Sequence, residues 1–337
     1  MSRPSRPSWR SARSSRWLAL LIGLAIGAAV IWISHPAAIW ESLREVDLVP
    51  LLGALLLNVP VVALRSFRAQ VILRFLGYDV SFRSMISVQL VGQTSSTITP
   101  AASGDFVRAY MWRRTQAIPV RDGAAVVTFE RIYSLFLLIA VALLLIALPR
   151  HGVIGWIGVA VGLVVATLAP VAVELVAPPA LERWALSRVT GGRLLSRFAE
   201  GAFEMVDKLR KILRSPVVLT QTSAITLVIF VVSAFQLMLL LIGLGDSIRI
   251  TQAVAVYATS QIAGILSTLP FGLGATDAIL VTVLAGYGIS VADSATAAVL
   301  NRAVSTLPLA LAGLIAYMRL DGREAPAASE VRTAVEK

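Results

Sequence analysis

Pro100-Ala101-Ala102-Ser103-Gly104-Asp105 breaks one hydrophobic stretch, and Pro270-Phe271-Gly272-Leu273-Gly274, with Asp277 just beyond, breaks another. Leu76-Gly77 precedes the first break and Leu244-Gly245 the second. Glu130-Arg131 follows the first and Asn301-Arg302 the second. Pro100 lies 31 residues before Arg131, and Pro270 lies 32 before Arg302. Proline and glycine are common in membrane helices. That accounts for one break, but not for two with matched flanks. Interrupted hydrophobic segments at corresponding places in two halves are the sequence mark of a transporter site.

Composition bounds the class. Of the 337 residues, 57% are hydrophobic and 15% charged, and mean hydropathy is +0.80. Several apolar runs reach the roughly 20 residues a bilayer requires. The absence of cysteine excludes a disulfide frame, a thiolate nucleophile and a cysteine-based metal site. A net charge of +11 could point to nucleic acid, but lysine and arginine in cytoplasmic loops explain it in a membrane chain. No nucleic-acid partner is expected.

The fold expected is an all-α polytopic membrane protein. About six spanning helices, at 17–33, 48–64, 123–148, 153–177, 217–243 and 293–318, join two broken re-entrant hairpins at 85–113 and 251–286. Residues 1–16 carry five arginines and no acid and are read as a cytoplasmic N-terminus before an uncleaved first helix. With that end inside, residues 65–121 and 178–216 are also inside and hold most of the basic residues, as the positive-inside rule requires. Both termini are then cytoplasmic, and the cytoplasmic membrane is the expected location. Repeat 1 covers about 48–148 and repeat 2 about 217–318, with opposite orientations in the membrane. Within the linker 178–216, residues 198–213 form an amphipathic helix that rests on headgroups or packs on the bundle. The tail, 319–337, is expected to be disordered.

Charged residues at membrane depth are costly, so each is a candidate functional group. Arg131 sits eight residues past Gly123, about 12 Å deep at 1.5 Å per residue. Arg302 sits nine residues past Asp293, about 13 Å deep from the opposite face by the same rise. A guanidinium fork suits a phosphate because it bonds two oxygens and keeps its charge. The alternatives are snorkelling or a structural pair with a carboxylate. Glu130 neighbours Arg131 in sequence, but adjacent helical residues point apart and need not pair. Half-helices beginning near Gly104 and Gly274 would offer free N–H groups to an anion. Asp105 and Asp277 would then be caps or first-turn acids. Thr97 and Thr99 would bond headgroup oxygens or satisfy backbone groups freed by the break.

Tyr78-Asp79 and Gly243-Leu244-Gly245-Asp246 resemble the paired motifs of intramembrane aspartyl proteases. That chemistry needs two carboxylates close enough to share a proton, whereas these lie on opposite faces of an inverted repeat. No HExxH, GxSxG or Walker motif is present, and neither an enzyme nor a cofactor is expected.

Pro100-x-x-Ser103-Gly104-Asp105-x-x-Arg108 with Glu130-Arg131, and Pro270-x-Gly272-Leu273-Gly274 with Asn301-Arg302, resemble the lysylphosphatidylglycerol synthase transmembrane (flippase) domain family. The resemblance spans roughly residues 15–320 and includes the flippase half of the multiple peptide resistance factor. It implies a lipid-handling site that includes Arg108. The family typically has a glutamate after the second glycine, where this chain has Asp277. The aminoacyl-transferase domain is missing, so synthase activity is not implied.

The function expected is movement of an anionic phospholipid or a polyprenyl-phosphate-linked precursor between leaflets. The alternative is a non-transporting subunit that recruits or regulates a glycosyltransferase or lipid synthase. A homodimer or a lipid-synthesis enzyme are the protein partners considered.

Overall fold

The computed structural model describes residues 40–41, 44–147, 193–267 and 274–321. The expected spans 17–33 and 153–177 lie outside these residues, as do Pro270, Gly272 and Leu273. All regular elements among the described residues are helical. They are α1 Leu48–Leu56, α2 Asn58–Phe75, α3 Phe82–Ile98, a 3-10 turn Pro100–Phe106, α4 Val107–Gln116 and α5 Val120–Ala147. Then come α6 Arg193–Leu213, α7 Pro216–Gly243, α8 Ile250–Leu266, α9 Ala275–Gly286, α10 Val291–Asn301, a π turn Arg302–Thr306 and α11 Leu307–Asp321. Among the described residues, four helical stretches are long and apolar enough to cross a membrane: Leu48–Phe75, Val120–Leu145, Pro216–Gly243 and Val291–Leu320.

Up to the breaks, the internal repeat is carried into the backbone residue for residue. Helices α3 and α8 each contain 17 residues, and their first residues, Phe82 and Ile250, are 168 positions apart. The same offset relates two helix starts whose caps differ in chemistry. The Asp47 carboxylate accepts from Val49 N at 2.9 Å, and the Ser215 hydroxyl accepts from Val218 N at 3.4 Å. It also relates two helix ends. Gly77 and Gly245 have φ of 94° and 82°, a region that costs glycine nothing. Beyond each glycine the next N–H reaches back into the helix, Tyr78 to Leu73 O at 3.0 Å and Asp246 to Leu241 O at 2.9 Å, closing both ends in the same way. Past the breaks the offset grows to 171, so that Val120 and Val291 open α5 and α10.

The two repeats run in opposite directions. Asp47 N donates to Gly243 O at 2.8 Å, placing the start of α1 beside the end of α7. At the other end, Lys211 of α6 lies 5.5 Å from the Phe75 ring, and α6 leads directly into α7. Helices α1–α2 and α7 are therefore antiparallel. Packing is reciprocal: α3 of repeat 1 lies on α11 of repeat 2, and α8 of repeat 2 lies on α5 of repeat 1.

A proline shapes the helices at their crossing. Pro308 has no N–H for Val304 O, which would be its partner in a regular helix. The chain widens into the π turn, where Leu307 N donates to Arg302 O. Asn58 Nδ2 supplies the missing donor to Val304 O at 2.7 Å. Gln236 Nε2 donates to Ala54 O at 2.7 Å and to Asn58 Oδ1 at 3.2 Å. These amides join α1, α2, α7 and the π turn where hydrocarbon offers no hydrogen-bond partners.

Several sequence boundaries change. The 48–64 span continues to Phe75, so Arg65 and Arg68 are helical residues rather than loop residues. Their partners, described below, allow the helix to carry charge past the point where hydropathy falls. Helix α6 begins at Arg193 and packs on α5, with Leu209, Ile212 and Leu213 buried. Helix α11 continues to Asp321, so the start of the expected tail is ordered.

Candidate functional site

Both breaks place an aspartate against the arginine of the long helix that follows. Asp105 Oδ2 accepts from Arg131 Nη2. Asp277 accepts from Arg302 twice, Nε to Oδ1 at 3.1 Å and Nη2 to Oδ2 at 3.0 Å. Each acid also has a second partner. Asp105 lies 4.0 Å from Arg108 Nη2, and Asp277 Oδ2 accepts from Gly274 N at 3.2 Å. Arg131 retains 31% side-chain exposure and Arg302 22%, so neither guanidinium is sealed off.

Repeat 1 adds a buried ionic cluster. Glu130 is 3% exposed and Arg108 3%. Glu130 Oε1 accepts from Arg68 Nε at 3.0 Å, and Oε2 lies 2.7 Å from Arg108 Nη2. Arg108 Nη1 donates to Gln89 at 2.7 Å, while its Nε is buried without a partner. Gly92 makes room for this side chain, because a Cβ there would strike the Arg108 chain. Arg68 Nη1 donates to Ser134 at 3.0 Å and to Thr226 at 2.9 Å. The last bond has a mirror: Arg68 and Gln236 are 168 positions apart, as are Asn58 and Thr226, and Gln236 bonds Asn58. In repeat 2 the place of Glu130 is taken by Asn301, which accepts from Ser305 at 3.2 Å.

Gly104 and Gly274 have different roles. The helix after the first break begins at Val107, not near Gly104 as expected, because a 3-10 turn intervenes. Gly104 N donates to Thr99 Oγ1 at 2.6 Å, so that N–H is already used. A Cβ at Gly104 would meet the Ser95 carbonyl and Ser96 N; the glycine lets the turn lie against α3. Gly274 has φ of 80° and sits immediately before α9. Thr97 and Thr99 donate to Thr94 O at 2.5 Å and Ser95 O at 2.9 Å, satisfying carbonyls at the broken end of α3. The residues missed in the sequence are Arg65, Arg68, Gln89 and Gln93. Their signal was the spacing of Arg65 and Arg68, three apart on one helical face.

Asp79 and Asp246 lie at opposite ends of the bundle, following the ends of antiparallel α2 and α7. The Asp79 side chain is 93% exposed and lies 3.7 Å from Arg74. They cannot form a proteolytic pair. At the α6 end, Tyr78 donates to Asp122, and burial and that bond push the Tyr78 hydroxyl up from its ordinary value. Lys208 lies 3.6 Å from Asp122, and Arg121 pairs with Glu204. At the far end, Asp246 faces Asp293, and burial and this like charge push its carboxyl up.

Paired, oppositely directed repeats with broken helices, and spans long enough for a bilayer, define a multi-pass membrane protein. The chain belongs to the family described as lysylphosphatidylglycerol synthase TM region, which matches residues 20–313. It is 27% identical to a UPF0104 membrane protein of Methanothermobacter thermautotrophicus over 318 residues, 88% of this chain and 93% of that protein. It is 21% identical to a UPF0104 membrane protein of Methanocaldococcus jannaschii over 286 residues, 79% of this chain and 83% of that protein. It is 30% identical to the glycosyltransferase AglD of Haloferax volcanii over 134 residues, 40% of this chain and 21% of that protein.

Proposed function

We propose that the protein moves an anionic phospholipid or a lipid-linked phosphate between the leaflets of the cell membrane, with its α6 end in the cytoplasm. The twin Asp–Arg pairs carry this reading. A phosphate has the geometry to take the place of a carboxylate on a guanidinium fork. The displaced Asp105 would turn to Arg108, and the displaced Asp277 would keep the Gly274 N–H. Neither acid would then be stranded without a partner, which would cost several kcal/mol at membrane depth. The two broken helices act as re-entrant elements, and their opposite direction suits alternating exposure of the two pairs. The acyl or prenyl chains stay in the bilayer.

The test is exchange of labelled phosphatidylglycerol between leaflets of liposomes. Arg131→Gln and Arg302→Gln should each abolish exchange while the protein remains folded. Lysine at either place should restore it only in part, because the fork is lost. Full exchange by both glutamine variants would reduce the pairs to structural ones.

The match to a protein named glycosyltransferase AglD favours a second reading, a membrane subunit that recruits or regulates a glycosyltransferase or lipid synthase. Wild-type protein inert in liposomes but co-purifying with such an enzyme would establish it.

A further inference from the structure

Four guanidiniums gather around the repeat 1 break, from Arg65, Arg68, Arg108 and Arg131, against two carboxylates, Asp105 and Glu130. Arg68 and Arg108 share Glu130, and Arg131 holds Asp105. Arg65 is different. It is half-buried, and its Nη1 donates at 2.9 Å to Oε1 of Gln93, a neutral group. No carboxylate of the described residues lies within ion-pair distance of it. It is ten residues before the end of α2, about 15 Å along the helix axis. Its charge is close enough to act on Asp105, so it belongs to the same cluster. Arginine does not shed its proton in a protein. A half-buried guanidinium in a spanning helix therefore calls for an anion. The equivalent positions in repeat 2 are Ser233 and Gln261, so the excess charge is confined to one side of the repeat pair.

We infer that Arg65, held in place by Gln93, forms a subsite for a phosphate-type anion that repeat 2 lacks. The inference rests on the lipid-handling reading and names the group that first receives the headgroup. Arg131 and Arg302 must each release a resident carboxylate to bind a ligand, whereas Arg65 needs only to extend its remaining donors. The ligand would be a phosphodiester or a terminal phosphate of a lipid, or free phosphate itself. On the span Leu48–Phe75, Arg65 lies in the half toward α6, so the subsite would load from the leaflet on that side.

The decisive variant is Gln93→Glu, which gives Arg65 a resident counter-ion at nearly unchanged volume. Binding is measured for the full chain in detergent micelles, with phosphatidylglycerol as ligand, phosphatidylcholine as neutral control and inorganic phosphate as free anion. Gln93→Glu should bind phosphatidylglycerol about tenfold or more weakly at an unchanged or raised melting temperature, a loss of about 1.4 kcal/mol or more. Arg65→Gln should show the same loss, and Arg65→Lys a smaller one. If Arg65→Gln fails to fold, Gln93→Glu and Arg65→Lys still decide the matter. Inorganic phosphate that binds wild type but not Gln93→Glu, without competition from phosphatidylglycerol, would keep the subsite and make free phosphate its ligand. Wild-type affinity in Gln93→Glu, with Arg131→Gln impaired, would overturn the Arg65 subsite and leave the lipid-handling reading standing. Equal binding of both lipids by wild type would overturn the two together.

Discussion

Arg302 meets Asp277 through two nitrogens, Nε at 3.1 Å and Nη2 at 3.0 Å, across a chain separation of 25 residues. The pair ties the first turn of α9 to the π turn, so the region after the second break and the following span cannot move independently while it is closed. Asp105 and Arg131 make the same connection in repeat 1, 26 residues apart.

Breaking one partner of such a pair should cost more than removing both. Asp277→Asn leaves a half-buried guanidinium without its counter-ion and should lower stability by about 2 kcal/mol. Adding Arg302→Gln should recover part of that loss. Melting temperatures of the two single variants and the double variant give the coupling, and strict additivity would deny it.

The two break glycines should fail for different reasons. Gly104→Ala drives a methyl into the Ser95 backbone and should cost about 1–3 kcal/mol, as overpacking does. Gly274→Ala is strained by its φ of 80° and should cost about 1–2 kcal/mol. Converting Gly274 to D-alanine by semisynthesis should remove the second loss, because positive φ suits a D-residue.

Pro308→Ala restores an N–H that can reach Val304 O. That carbonyl now accepts from Asn58 at 2.7 Å. The variant should regularise the π turn and release Asn58. Asn58→Leu should therefore be strongly destabilising in the wild type and less so beside Pro308→Ala, as read from thermal unfolding in detergent.

Acidification should stabilise the end of the bundle that holds Asp246. Its carboxyl is pushed up by burial and by Asp293, so the folded protein binds this proton more readily than the unfolded chain. The contribution is fully present below the ordinary aspartate value and is lost as pH rises through the raised one. Asp246→Asn should raise the melting temperature at neutral pH and flatten its rise toward pH 4. An unchanged pH profile would refute the coupling.

Orientation is accessible because the chain has no cysteine. Cysteine at exposed Ser247 should react with an impermeant reagent in intact cells, and cysteine at exposed Arg214 only after permeabilisation. The reverse pattern would turn the protein over in the membrane.

The repeat was legible in sequence because Leu-Gly, proline and arginine recur where backbone geometry demands them. Gly77 and Gly245 mark helix ends that need positive φ, and Asp277 reads as a first-turn acid and is one. The extent of α2 was hidden because Arg65 and Arg68 lower hydropathy where the helix continues, and only their partners show why. The Asp–Arg pairs were not legible either, since residues 25 or 26 apart are brought together by the turn of the whole break. Glu130 illustrates the limit most clearly. Its neighbour in sequence is Arg131, but its partners are Arg68 and Arg108 on other helices.

Reciprocal packing has a consequence for how the chain is made. Helix α3 is covered by α11, and Thr94 donates to Ala310 O, 216 residues further along. While the protein is being synthesised, the face of α3 that α11 covers stays uncovered until the last span emerges. Arg108, Thr97 and Thr99 find their partners within repeat 1, but Thr94 has no partner on another helix before then. A ribosome that stops short of residue 307 would leave a protein lacking α11, with the face of α3 that α11 covers turned to lipid, and quality-control proteases should recognise it there.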